Sequence, residues 1–199
     1  MAASKTLREL TGMGYTPTTV GQSALVLIDC QNTYREGVMR LEGVEPALVE
    51  CQALLQRFRD AGRPVIHIQH NAGEGSPYDV NARIGAIADV VAPAAGEPVV
   101  VKAYPSSFEK TNLDELLKGY GVTDLTLVGF MTHVCVNSTA RAAFNHGYKP
   151  TVVASATATR ALPNPTGGVV EAKDLHNASL AALHDIFAVV VPDSAYVGT

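Results

Sequence analysis

The sequence predicts an α/β protein, a three-layer, doubly wound sheet of six mainly parallel strands with helices on both faces. Two observations carry this. Six short apolar runs recur along the chain, continuous rather than alternating, as strands buried on both faces of a parallel sheet are. Helix-like stretches lie between most of them, and alternation of that kind over 199 residues folds as a doubly wound sheet. With 47% of residues hydrophobic and 17% charged, one well-filled domain suffices.

The first run is ALVLIDC (24–30) and the second PVIHIQH (64–70). Between them Val44, Ala47, Leu48, Cys51, Leu54, Leu55 and Phe58 recur at helical spacing, and the pattern stops at AGRP, where Gly62 can take the left-handed cap. The third run, PVVVKAY (98–104), is followed by the helical NLDELLKGYG and the fourth run, DLTLVGF (124–130). VNSTARAAFNHG then leads into KPTVVAS (149–155), and a stretch containing Leu180, Leu183 and Phe187 leads into FAVVVPD (187–193). The longest loops are QNTYREGVMRLEG, HNAGEGSPYDVNAR and TRALPNPTGG, and loops of that kind often carry function. Residues 1–21 read as an arm packed on the domain or on a neighbouring subunit, and residues 22–199 as a single domain.

Charge and composition narrow the function. The net charge is −4, and the 15 basic residues are scattered without aromatic interleaving, so no nucleic-acid partner is expected. No apolar run is long enough to span a bilayer and the N-terminus lacks a signal-peptide core, which predicts a soluble, cytoplasmic protein with no membrane partner. Cys30, Cys51 and Cys135 are widely spaced with no CxxC pair, against a disulfide framework or zinc knuckle.

Ligands of open α/β sheets bind beyond the carboxyl ends of the strands. Asp29 lies at the end of the first run, Lys102 near the end of the third, and Cys135 just after the fourth, so all three should face one crevice. Singly each has an ordinary explanation: a turn cap, a solvated lysine, a small buried hydrophobe. Cys135 differs from Cys30 and Cys51 because it should sit at a helix N-terminus, where unpaired N–H groups favour the thiolate and could hold an oxyanion. His133 lies in the same turn as Cys135, with a structural role at least as fitting as a catalytic one, and His70 lies nearer the crevice than His67. His67 and His70, three apart on a strand, project to opposite faces and make a poor metal pair.

ALVLIDCQN, VVVKAYPSSF, LVGFMTHVCVNSTARAAFNHGY and VVASATATRALP together resemble the isochorismatase-like cysteine hydrolase superfamily, which includes nicotinamidases, N-carbamoylsarcosine amidase, ureidoacrylate amidases and streptothricin hydrolase. The likeness covers the chain from about residue 22 and implies a Rossmann-like strand order. It further implies an Asp29, Lys102 and Cys135 triad, a non-proline cis peptide at Phe130–Met131, and an oxyanion hole made by the Met131 and Cys135 amides. Two departures matter. Members that cleave the vinyl ether of isochorismate usually lack the cysteine, so its presence favours acyl chemistry. Metal-binding nicotinamidases carry an Asp-x-His pair and a further His after the second strand, which HIQHNAGEGSPYDV lacks, so neither metal nor any other cofactor is expected.

The expected activity is hydrolysis of a small amide or ureido C–N bond through a Cys135 thioester, with Tyr34, His70, Tyr104, Phe108 and His133 as candidate substrate-binding residues and Met131 beside them. Two alternatives stand beside it: vinyl ether cleavage with Asp29 as general acid, and a noncatalytic oligomeric scaffold. A homo-oligomer, dimer or tetramer, is expected from the resemblance and the arm.

Overall fold

The computed structural model describes residues 4–198. In chain order its strands are β1 (Ser23–Ile28), β2 (Val65–His70), β3 (Val99–Lys102), β4 (Asp124–Phe130), β5 (Lys149–Ala158), β6 (Leu162–Pro163), β7 (Val169–Val170) and β8 (Val189–Val191). Six of them form one sheet in the order β3-β2-β1-β4-β5-β8, every neighbouring pair parallel. The two-residue strands β6 and β7 pair antiparallel in a separate ribbon. The helices are α1 (Leu7–Thr11), α2 (Val44–Asp60), α3 (Leu113–Gly119), α4 (Asn137–Asn145) and α5 (Ala172–Asp185). The fold class agrees with expectation.

Successive side chains of a strand point to opposite faces. On β1, Leu25 and Leu27 join the core beneath α2, with Leu48, Leu54, Leu55 and Phe58, while Ala24, Val26 and Ile28 join the core beneath α3, α4 and α5. All six β1 residues are buried, which is why the run shows no alternation. Gly62 takes a positive φ of 61° just past α2, as its position at the end of the helical pattern predicted.

Strand order places the site. The chain runs outward from β1 to β2 and β3, then returns to lay β4 on the other side of β1, so the crevice opens beyond the carboxyl ends of β1 and β4. Their ends approach closely at Gly129, whose φ is 110° and where an added Cβ would stand 2.0 Å from the Ile28 carbonyl oxygen. Only glycine fits there.

Thr18 ties the arm to the sheet. Its N–H donates to Thr151 Oγ1 at 2.9 Å and its hydroxyl meets that of Thr126 at 3.0 Å. Tyr15 stacks on His184 of α5 at 4.6 Å. Residues 4–21 therefore pack on their own domain; the first three residues of the expected arm lie outside the described residues, as does residue 199. Among the described residues no helix is long and apolar enough to cross a membrane.

Candidate active site

Lys102 closes a short edge strand whose burial alternates: Val99 and Val101 are exposed, Val100 and Lys102 buried. Period two thus turns an ammonium group inward. Asp29, one residue past β1, takes a φ of 50°, breaking the strand direction where its side chain is needed. Cys135 lies in a π-helical turn, Thr132–Val136, between β4 and α4. That turn follows a cis peptide at Phe130–Met131, and the Val134 and Val136 amides donate to the Met131 carbonyl.

The three groups meet. Lys102 Nζ stands 2.7 Å from Asp29 Oδ2 and 3.3 Å from Cys135 Sγ, with the Asp29 and Lys102 side chains fully buried and Cys135 5% exposed. His70, the Cα partner of Lys102 in the ladder, brings Nδ1 within 3.3 Å of the same nitrogen. Burial first, and the Lys102 charge second, push the His70 imidazole down, so it is neutral and accepts from the ammonium. Three electron-rich atoms thus surround the ammonium, two of them, on His70 and Cys135, at hydrogen-bond geometry. Neither Asp29 oxygen has a well-aligned hydrogen-bond donor, so the 2.7 Å contact is chiefly electrostatic and the carboxylate keeps lone pairs free to take a proton.

The Cys135 thiol is pushed up to about 12, chiefly by burial and then by the Asp29 charge, against the opposing pull of Lys102. At neutral pH the resting sulfur is a thiol. A helix N-terminus favouring the thiolate was expected; here Cys135 sits inside the π-helical turn, two residues before α4 begins, and desolvation outweighs the cation.

Of the expected substrate-binding residues, His70 reaches the cluster. Tyr34 forms its wall, 1% exposed and in edge contact with Tyr78 and Phe130. His133 turns to Thr159, its Nδ1 against the Thr159 hydroxyl. The contacts of Tyr104 and Phe108 lie elsewhere: Tyr104 is 42% exposed with Lys110 on its hydroxyl and ring, and Phe108 stacks on His146 and lies tilted against Tyr148, just before β5 begins. Both follow β3 in sequence, but Ser107 between them bonds Thr139 and holds this segment against α4. His67, projecting opposite to His70, meets Glu97 at 2.9 Å. Asp79 accepts from the Gly75 and Asn81 amides within its own loop. Among the described residues no group of three or more His, Cys, Asp or Glu side chains converges to hold a metal ion.

Three neighbours escaped the sequence reading. Gln31 is fully buried and bonds both the N–H and the C=O of His70 at 2.9 Å. Tyr78 packs edge-on against His70 at 4.9 Å, covering the cluster from the β2–β3 connection. Arg160, just past Thr159, bears by its charge on His133 and Tyr78. The bare polar triplet of Gln31 to Thr33 signalled only a turn, and nothing local marks the other two. Behind the turn Thr132 bonds His176 at 3.0 Å, and His176 in turn lines a 280 Å³ cavity with Glu42, Thr157, Thr159 and Lys173, to which Cys135 does not contribute.

A three-layer parallel sheet with a carboxylate, an ammonium and a thiol gathered at its carboxyl edge is the architecture of a hydrolase class. The chain belongs to the isochorismatase family: the Isochorismatase domain matches residues 23–193. It is 35% identical over 182 residues to the secreted isochorismatase effector Isc1 of Verticillium dahliae, covering 90% of this chain and 93% of that one. It is 30% identical over 172 residues to the ureidoacrylate amidohydrolase RutB of Stutzerimonas stutzeri, covering 68% and 69%. The crystal structure of an isochorismatase from Pseudomonas putida KT2440 superposes with a TM-score of 0.93 at 35% identity, covering 97% of this chain and 99% of that one.

Proposed function

We propose that this hydrolase cleaves the C–N bond of a small amide or ureido compound through a thioester on Cys135. The observation that carries it is Lys102 Nζ seated between Asp29 Oδ2 at 2.7 Å and Cys135 Sγ at 3.3 Å in a buried site. Passing the thiol proton to Asp29 moves one negative charge from carboxylate to sulfur and leaves the net charge of the cluster unchanged. Lys102 stays paired throughout, so the step escapes the cost of creating a buried charge.

The sulfur attacks the substrate carbonyl as the proton reaches Asp29. The oxyanion is held by the Met131 and Cys135 amides; among the described residues the Met131 N–H donates to no protein acceptor, which supports its part. Collapse of the intermediate breaks the C–N bond, and Asp29 returns its proton to the leaving amine. Asp29 then takes a proton from water as hydroxide adds to the thioester; collapse of that intermediate breaks the C–S bond and releases the acid product, and Asp29 passes its proton to the sulfur, restoring the Cys135 thiol and the Asp29 carboxylate. The amidohydrolase among the relatives accords with this chemistry.

A second reading, vinyl ether hydrolysis with Asp29 as general acid and Cys135 idle, draws on the names of the Verticillium and Pseudomonas relatives. Ammonia release from a panel of amides and ureides, with intact-mass detection of an acyl adduct, tests the first. Cys135→Ala should lose several orders of magnitude. Ammonia release within about tenfold of the parent would exclude the covalent route, and vinyl ether cleavage that survives Cys135→Ala would favour the second reading.

A further inference from the structure

Lys102 is at once the centre of the buried trio and the member with the loosest footing. It ends a strand of four residues that lies at the edge of the sheet and pairs with β2 alone. Its ammonium sits on a flexible stem and turns freely, so its three protons need acceptors to fix where they point. The 2.7 Å contact with Asp29 is chiefly electrostatic and sets no direction. The directional bonds are those to Cys135 Sγ and His70 Nδ1, each at 3.3 Å.

His70 is itself firmly held. It is the Cα partner of Lys102 in a parallel ladder, so the two side chains rise on one face of the sheet. Gln31 clamps its N–H and its C=O at 2.9 Å, the Asn71 N–H donates to the Lys102 carbonyl at 2.8 Å, and Tyr78 packs edge-on against the ring at 4.9 Å. A neutral imidazole that accepts at Nδ1 carries its proton on Nε2, so it steadies the ammonium without disturbing the balance of one carboxylate and one cation. A carboxylate in its place would draw the ammonium away from Cys135, and a second cation would repel it. We propose that His70 is a positioning residue and not the substrate-binding residue its place in the sequence suggested: its Nδ1 fixes the Lys102 ammonium between Asp29 and Cys135, at the spacing that transfer of the thiol proton requires. The proposal rests on the reading of the site as a Cys135 amide hydrolase and adds a fourth residue to Asp29, Lys102 and Cys135.

Asn and Leu have nearly the same shape, and an Asn side chain can set its oxygen where Nδ1 stands. His70→Asn and His70→Leu therefore lose the ring alike and differ in the acceptor. Two assays compare them with the parent, after circular dichroism has shown each to be folded; if His70→Leu is not, His70→Phe, which keeps a ring against Tyr78 but no acceptor, takes its place. The first is alkylation by iodoacetamide at pH 8, followed on the Cys135 peptide by mass spectrometry, and it needs no substrate. The Lys102 charge favours the thiolate, so His70→Leu should react at least about fivefold more slowly than the parent and His70→Asn within about twofold of it. The second is ammonia release from the amide and ureide panel. For His70→Leu kcat should fall at least about tenfold with KM within about threefold, and His70→Asn should recover most of that loss. Equal behaviour of His70→Asn and His70→Leu in either assay would overturn the proposal, since packing alone would then explain the residue. A loss borne by KM with kcat kept would also overturn it and return His70 to substrate binding. If the parent cleaves nothing in the panel, the amidase reading falls, and the alkylation comparison by itself upholds or overturns the role of His70.

Discussion

Replacing Lys102 by Met tests whether the buried trio is held by charge balance. The substitution keeps an unbranched stem of similar bulk but leaves Asp29, fully buried, beside no cation. Breaking a buried pair by removing one partner costs about 3–5 kcal/mol, because the remaining charge is desolvated without compensation. Against a total stability of about 5–15 kcal/mol this brings the variant near unfolding. Asp29→Asn strands the ammonium instead and should cost a similar amount. The double variant, with both charges gone, should lie within about 1–2 kcal/mol of the parent, since burying a neutral amide costs far less than burying an unpaired charge. If the singles simply added, it would lose about 6–10 kcal/mol, so the cycle should show a coupling of several kcal/mol. The chain has no tryptophan, so urea unfolding is followed by far-ultraviolet circular dichroism. Single variants costing less than about 1 kcal/mol, or a double variant additive within about 0.5 kcal/mol, would refute the reasoning.

The Cys135 thiol, pushed up to about 12, should react with iodoacetamide at a rate that climbs about tenfold per pH unit from pH 7 to 9; a plateau in that range would show a thiolate at rest. Gly129→Ala should destabilise by more than about 2 kcal/mol and displace the end of β1, because its methyl would lie 2.0 Å from the Ile28 carbonyl oxygen, and a stable, active variant would contradict the close approach. Glu97, held at about 2 first by Arg59, contributes stability that is present above its ordinary 4.5 and is lost as pH falls toward 2. Melting curves between pH 5 and 2.5 should therefore fall less steeply for Glu97→Gln than for the parent, and parallel slopes would count against the pairing.

The strands were legible because β1 and β4 are buried on both faces, so their apolar runs are nearly continuous, with only the buried Thr126 interrupting that of β4. β3 was legible for a different reason: an edge strand of four residues, VVVK, still reads as apolar although two of its valines face solvent. The ribbon of β6 and β7 was not, since two residues per strand carry no periodicity. Asp29, Lys102 and Cys135 could be named from the sequence because each ends or follows a recognisable strand, and the sheet rule then places strand ends together. Tyr104 and Phe108 show the limit of that rule: it fixes where a strand stops but not which way the chain leaves. Gln31, Tyr78 and Arg160 come to the site through loop paths and pairings between distant segments, for which the residues themselves give no local sign.

Gln31 has a use beyond filling space. By accepting from the His70 N–H and donating to its C=O, its side chain imitates one more rung between β1 and β2, past the point where Asp29 has left the strand. The same amide nitrogen also donates to the Gly85 carbonyl at 2.7 Å, while Ala88 donates to the Cys30 carbonyl and Asn32 to that of Ala86. Residues 83–88 are in this way stitched to the floor, and the span between His70 and Arg83, with Tyr78 in it, is tied at both ends. Such an arrangement separates the parts of the molecule that must keep their spacing from a bridge that can be rewritten. A change of substrate, by natural drift or by engineering, would be sought first in residues 71–82, where altering what covers the thiol leaves the rung beneath it in place.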